Sequence, residues 1–224
     1  MARIQDINLF HCLPDDVADR LDQRCRWNKY GPNQLVIDYD DTSSDVWFLS
    51  KGRARVQLRT ESGKELVLQD MKPGDLFGEM SALDGLPRSA NITTLEDSEL
   101  GRMSASEFMT ASTTVPDLAK ALFCHFTGRI RNMNSQVREA TFMTNRQRLC
   151  AELMRRAKPR MANPDQLIIS PPPLHQELAD RLGCMREAVT REMSTLRKKG
   201  MIENARGGCV ITEPEKVNRF IAGL

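Results

Sequence analysis

Between Pro116 and Pro159 the chain runs without a proline, and apolar residues recur every three or four positions at Val115, Leu118, Leu122, Phe126, Ile130, Met133, Val137 and Ala140. That is the helical period. It predicts one helix of roughly 30 residues, about 45 Å long at 1.5 Å per residue. Such a helix overshoots one small domain. Its stripe can pack on the chain's own core or form a coiled-coil-like seam with a second copy, and the length favours the seam.

The charge changes sign along the chain. Through Cys124 there are 14 basic and 20 acidic residues, and from His125 onward 18 basic and 10 acidic, so a net −6 is joined to a net +8. A basic half suits a polyanion, although charge alone fits a solvated surface equally well. Only 5% of the 224 residues are aromatic, which argues against a base-stacking platform for single strands. The apolar runs are too short to span a bilayer, and Met1–Asp6 lacks the apolar core of a signal peptide. Six cysteines with no such signal point to reduced thiols and a cytoplasmic location.

From Ile7 to Arg26 short helices are expected, with small apolar faces such as Val17 and Leu21. From Gln34 the apolar residues fall in short runs: Val36-Ile37, Val46–Leu49, Ala54, Val56, Leu58 and Leu66–Leu68. Turn formers separate them at Gly31–Asn33, Asp40-Asp41, Lys51-Gly52, Ser62–Lys64 and Pro73–Asp75. This spacing predicts a β-sandwich or jelly-roll barrel. Beyond the long helix we expect a helix over Arg146–Lys158, a loop at Pro159–Asp165, a strand at Leu167–Ile169 and a hairpin at Ile202–Thr212 turning on Gly207-Gly208.

Two strings carry chemistry. In His175–Arg191, Leu178, Ala179 and Leu182 make the inner face of one helix, Gly183 permits a left-handed turn, and Ala188, Val189, Met193 and Leu196 anchor a second helix. Arg186, Glu187, Thr190 and Arg191 are left to project from the N-terminal part of that second helix, the end that enters a major groove. Arginine can donate two hydrogen bonds to guanine, and glutamate can accept one from cytosine. Lys198 and Lys199 suit phosphates.

The other string is Pro73–Leu83 followed by Pro87-Arg88-Ser89-Ala90. Gly78 can bring backbone close to a ligand, and Ser81 can open a short helical turn with free N–H groups. Arg88 can neutralise a phosphate with paired donors, and Ser89 adds a hydroxyl. Glu79 would repel a phosphate, so it is better used on a neutral donor such as a ribose hydroxyl. No nucleophile–base pair and no paired carboxylates are arranged for catalysis, which argues against an enzyme.

Both strings, in this order and joined by a long helix, resemble the CRP/FNR family of bacterial transcription regulators, on its cyclic AMP receptor branch. The resemblance implies an α+β chain: a cyclic-nucleotide-binding β-roll (jelly roll) over residues 1–112, a dimerisation helix and hinge over 113–144, and a winged helix-turn-helix over 145–224. It implies that Arg88 and Ser89, with backbone near Gly78, Met80 and Ser81, hold a cyclic phosphate and that Glu79 holds the ribose 2′-OH. It places His175 and Gln176 on DNA phosphates and Arg186, Glu187 and Arg191 on bases of palindromic, TGTGA-like half-sites. The partners it implies are double-stranded DNA, a second copy of the chain and RNA polymerase, with the regulator an activator.

One departure concerns the base. The cyclic AMP branch offers a Thr-Ser pair to adenine where this chain has Met133 and Asn134. Asn134 keeps a donor and an acceptor, whereas Met133 lacks a hydroxyl. Cyclic AMP and cyclic GMP therefore both stand as effectors, with cyclic di-GMP, or no ligand, as the alternative. No metal is expected: Cys12 and Cys25 are too far apart for an iron–sulfur clip, and the pairs His11-Cys12 and Cys124-His125 read as core or surface.

Overall fold

Apolar runs broken by turns become strands here because each short run can bury one face and leave the other to water. The computed structural model describes residues 2–59 and 65–223; the turn expected at Ser62–Lys64 lies outside them. Two short 3-10 turns and α1 (Asp15–Asp22) lead into β1 (Arg26–Tyr30), β2 (Leu35–Ile37), β3 (Val46–Lys51), β4 (Ala54–Arg59), β5 (Glu65–Met71) and β6 (Leu76–Phe77). Then come α2 (Glu79–Asp84), β7 (Asn91–Thr94), β8 (Ser98–Met103), α3 (Ala105–Thr114) and α4 (Pro116–Phe142). The strands form two antiparallel sheets, ordered β1-β8-β3-β6 and β2-β7-β4-β5. Between the sheets lie Ile37, Trp47, Leu49, Val56, Phe77 and Leu100, with the Trp47 ring stacked parallel to Phe77. A second core joins Phe10, Phe48 and Phe108 to Leu118 and Leu122 of α4. The fold is the expected β-roll.

The long helix is divided in its use. It starts at Pro116, after a break that α3 precedes, and runs 27 residues. Leu118 and Leu122 are spent on the chain's own core, while Phe123, Ile130, Met133 and Val137 are exposed. The stripe read as one surface is therefore part core and part exposed.

The chain divides into two compact units, Met1–Arg131 and Asn132–Leu224. In the second, α5 (Asn145–Arg156) is capped by Thr144, whose hydroxyl accepts from Gln147 N while Gln147 reaches back to the Thr144 backbone. There follow β9 (Lys158–Arg160), β10 (Asn163–Ile169), α6 (His175–Leu182), α7 (Arg186–Lys198), β11 (Ile202–Ala205), β12 (Gly208–Ile211) and α8 (Pro214–Ile221). The sheet order is β11-β12-β10-β9. The expected loop at Pro159–Asp165 is instead a hairpin. Its prolines are tolerated because β9 is the edge strand and the register of its pairing with β10 shifts between Asn163 and Leu167. The helix expected to reach Lys158 stops at Arg156, and α8, not foreseen, packs Val217 into this unit's core.

Candidate functional site

At the end of β6 the backbone turns sharply. Gly78 has φ 79°, a conformation costly for any residue with a Cβ. A Cβ there would also stand 2.7 Å from Arg88 Nη1 and 2.9 Å from the Asp45 carbonyl. Glycine thus lets the guanidinium and the backbone meet. Arg88 is only 3% exposed. Its Nη1 donates to the Gly78 carbonyl at 2.8 Å, its Nη2 to the Asp45 carbonyl at 2.8 Å, and its Nε to Ser43 Oγ at 3.1 Å. Burial pulls its pKa down, and the charges of Asp41, Asp45 and Glu79 pull it back up. An arginine stays ionised in a protein, so this is a charge held out of water. A buried cation is costly unless an anion or several acceptors meet it.

Glu79, the first residue of α2, is 1% exposed and accepts from Arg129 Nη1 of α4 at 2.6 Å. Arg129 was not foreseen from the sequence. A buried carboxylate demands a cation, but nothing local to Glu79 says that this cation lies 50 residues on. Ser81 is buried beside Glu79, whereas Met80 and Ser89 are exposed, the Ser89 hydroxyl pointing at Met80 Sδ at 3.7 Å. Gly78, Glu79, Met80, Ser81, Arg88, Ser89 and Arg129 line one pocket, floored by Ile37, Val56, Phe77 and Ile92. The first unit thus gathers the six sequence-predicted residues of the cassette. Met133 and Asn134 lie on α4 in the second unit, both exposed, Met133 at 60%.

Close to this pocket on α4, His125 is half-buried and its Nε2 has no hydrogen-bond partner among the described residues. Burial lowers its pKa most strongly; Glu79 and Asp75 raise it, and Arg129 lowers it.

In the second unit, α6 and α7 are joined through Gly183, left-handed at φ 60°. Leu178, Ala179 and Leu182 are buried with Val189, Met193 and Leu196, as their spacing predicts. Gln176, Arg186, Glu187, Thr190, Arg191 and Lys198 are exposed, and His175 is half-buried. The His175 Nδ1 lies 2.8 Å from Thr190 Oγ1, and that hydroxyl donates to the Arg186 carbonyl at 3.0 Å. Thr190 therefore accepts from an Nδ1–H tautomer of His175, a bond that ties the two helices together. Burial, then Arg197 and Arg186, lower the His175 pKa. Gln176 holds Asp180 on its own helix at 2.8 Å. Arg146 Nε donates to Glu192 at 2.5 Å and fixes α7 on α5. The exposed side chains thus project from a helix whose other face is locked. The β11–β12 hairpin beside it carries Arg206 at its exposed tip.

A β-roll with a buried arginine beside a short helical turn, followed by a winged helix-turn-helix, defines a cyclic-nucleotide-binding transcription regulator. Residues 27–113 match the cyclic nucleotide-binding domain and residues 147–220 the Crp-like helix-turn-helix domain. The chain belongs to the CRP/FNR family. It is 28% identical over 190 residues to the cAMP-activated global transcriptional regulator CRP of Pasteurella multocida, covering 84% of this chain and 90% of that one. It is 25% identical over 216 residues to the cyclic AMP receptor protein of Thermus thermophilus, covering 96% and 97%. Its fold matches that of the c-di-GMP responsive regulator CLP of Xanthomonas campestris with a TM-score of 0.77 at 19% identity, over 88% of this chain and 99% of that one. Among the described residues no helix is long and apolar enough to cross a membrane, and no cluster of three His, Cys, Asp or Glu is placed to hold a metal.

Proposed function

We propose that the chain is a homodimeric cytoplasmic activator that binds cyclic AMP or cyclic GMP in the β-roll and palindromic DNA through α7. Arg88, buried with three donors on uncharged acceptors, carries this reading. It supplies a positive charge that only an anion inside the pocket would use fully. Arg88 and Ser89, with backbone at Gly78, Met80 and Ser81, hold the cyclic phosphate, and Glu79 turns from Arg129 toward the ribose 2′-OH. Met133 and Asn134 meet the base.

The functional divisions are residues 1–112, 113–144 and 145–224. The exposed residues Phe123, Ile130 and Val137, spaced by seven, support a seam with a second copy of α4. Nucleotide binding re-seats that seam, and the Ala140–Arg146 hinge sets the two recognition helices one DNA turn apart, about 34 Å. Arg186, Glu187 and Arg191 read TGTGA-like half-sites with Thr190 beside them, while His175, Gln176 and Lys198 meet phosphates. RNA polymerase is the partner on the DNA.

Calorimetry of the full chain with cyclic AMP, cyclic GMP and cyclic di-GMP tests the reading. One mononucleotide per chain is expected, with cyclic di-GMP not competing. Binding of cyclic di-GMP alone, or of none of the three, overturns it in favour of the alternative.

A further inference from the structure

The buried guanidinium of Arg88 is strapped by the segment between β2 and β3. Arg88 N donates to the Asp41 carbonyl at 2.9 Å, and Asp40 N donates to the Arg88 carbonyl at 3.0 Å. Arg88 Nη2 and Nε hold the Asp45 carbonyl and the Ser43 hydroxyl. The Ser43 hydroxyl in turn donates to Asp41 Oδ2 at 3.0 Å, and Ser43 N donates to Asp41 Oδ1 at 3.0 Å. The guanidinium is thus linked through one hydroxyl to a carboxylate.

The other charges nearby are already matched. Arg102 is paired with Asp45, and Arg129 with Glu79. Arg88 meets the Asp41 carboxylate only through the Ser43 hydroxyl, so its charge is offset but not paired before a nucleotide enters. Of the five N–H donors of a guanidinium, three are engaged here and two remain. Two donors suit the two non-bridging oxygens of a phosphodiester, which share a single negative charge.

We propose that the strap Asp40–Asp45 is a charge filter, with Asp41 the residue that makes the pocket prefer a singly charged phosphodiester over a phosphomonoester. The proposal rests on the reading of this pocket as a phosphate site. Coulomb repulsion scales with the charge of the ligand. A monoester carries a charge of about −1.5 to −2 at neutral pH, against −1 for the diester. Removing the Asp41 charge therefore helps a monoester by nearly the square of the factor by which it helps a diester. Opening the ring of a cyclic nucleotide with water gives such a monoester, so the filter would silence the pocket toward the spent signal.

The test measures cyclic AMP directly and 5′-AMP by displacement of cyclic AMP, at pH 7.5 and low salt, on the full chain. Asp41→Asn is expected to narrow the preference for cyclic AMP over 5′-AMP by about threefold, and added salt to shrink that change. Asp41→Glu keeps the charge and should keep the wild-type ratio. Ser43→Ala breaks the relay without removing a charge, so it should weaken both nucleotides by the same factor. An Asp41→Asn ratio equal to wild type overturns the filter, and so does 5′-AMP that fails to displace cyclic AMP from either protein, because a filter of this size cannot exclude it alone. Failure of both cyclic AMP and cyclic GMP to bind wild type overturns the pocket reading itself.

Discussion

The cations of the pocket and those of the recognition helix work under opposite conditions. Arg88 is buried and every contact it makes is short and fixed, whereas Arg186, Arg191 and Lys198 stand in water. A buried charge acts through a few hydrogen bonds that salt hardly screens; exposed charges act at a distance and are screened within about 10 Å at 0.1 M salt. The pocket is therefore built for one small anion in one pose. The helix is built to be drawn to any DNA first and to sort sequences afterwards. This contrast also separates the variants by size and by salt dependence.

The largest effect is expected at Arg88. Arg88→Ala removes the charge and leaves the Gly78 and Asp45 carbonyls without their donor. Cyclic-nucleotide affinity should fall by about 1.5–3 kcal/mol or more, nearly independent of salt. A titration unchanged from wild type, or a loss that salt reverses, would remove Arg88 from the site and dissolve the contrast.

On the helix, Lys198→Ala should weaken binding to all DNA sequences and lower the salt slope by about 0.9 per lost phosphate contact. Glu187 has no attraction for phosphate, so Glu187→Ala should relax preference at one base pair per half-site, worth about 1–3 kcal/mol, and leave non-specific binding equal or tighter. Anisotropy on a palindromic site and on scrambled DNA, at several salt concentrations, separates the two. An intact order of preferred bases in Glu187→Ala means that this residue does not read sequence.

A smaller effect concerns His125, whose pKa burial depresses in the folded chain. Its unfolded form takes up a proton near pH 6.5 and its folded form only below that. Stability should thus be complete above about pH 6.5 and fall as the pH drops toward the depressed value. Thermal unfolding between pH 7.5 and 5 should show a shallower decline for His125→Gln than for wild type. Parallel curves would mean that the imidazole is solvated. The smallest effect is expected for Met133→Thr, which should move the ratio of cyclic AMP to cyclic GMP affinity a few-fold toward cyclic AMP. An unaltered ratio would mean that the base is read elsewhere.

Much of this was legible in the sequence, for identifiable reasons. The β-roll announces itself by turn residues between apolar runs, and the helix-turn-helix by Leu178, Ala179 and Leu182 facing Val189 and Met193 across Gly183. Those are local signals, set by periodicity and by one left-handed residue. The cassette residues Gly78 to Ser89 are likewise close in sequence. What stayed hidden was long-range pairing: Arg129 on Glu79, and Ser43 and Asp45 on Arg88, more than 40 residues apart. Arg129, Ser43 and Asp45 look like ordinary surface residues until the fold brings them to Glu79 and Arg88. The hairpin at Pro159–Asp165 reads as a loop because prolines are excluded from most strands, and only the sheet order and register show that Pro159 sits on an edge strand and Pro164 at a register shift.

A nucleotide in the β-roll pocket is expected to govern the exposed helix. This dependence is tested most directly by fluorescence anisotropy of a labelled palindromic TGTGA-type duplex, titrated with the full chain with and without saturating cyclic AMP or cyclic GMP, for wild type and Arg88→Ala. One of these nucleotides should tighten wild-type binding at least about tenfold, scrambled DNA should show no such gain, and Arg88→Ala should keep only the untightened affinity. Equal wild-type affinity with and without either nucleotide, or tightening that survives in Arg88→Ala, would contradict it.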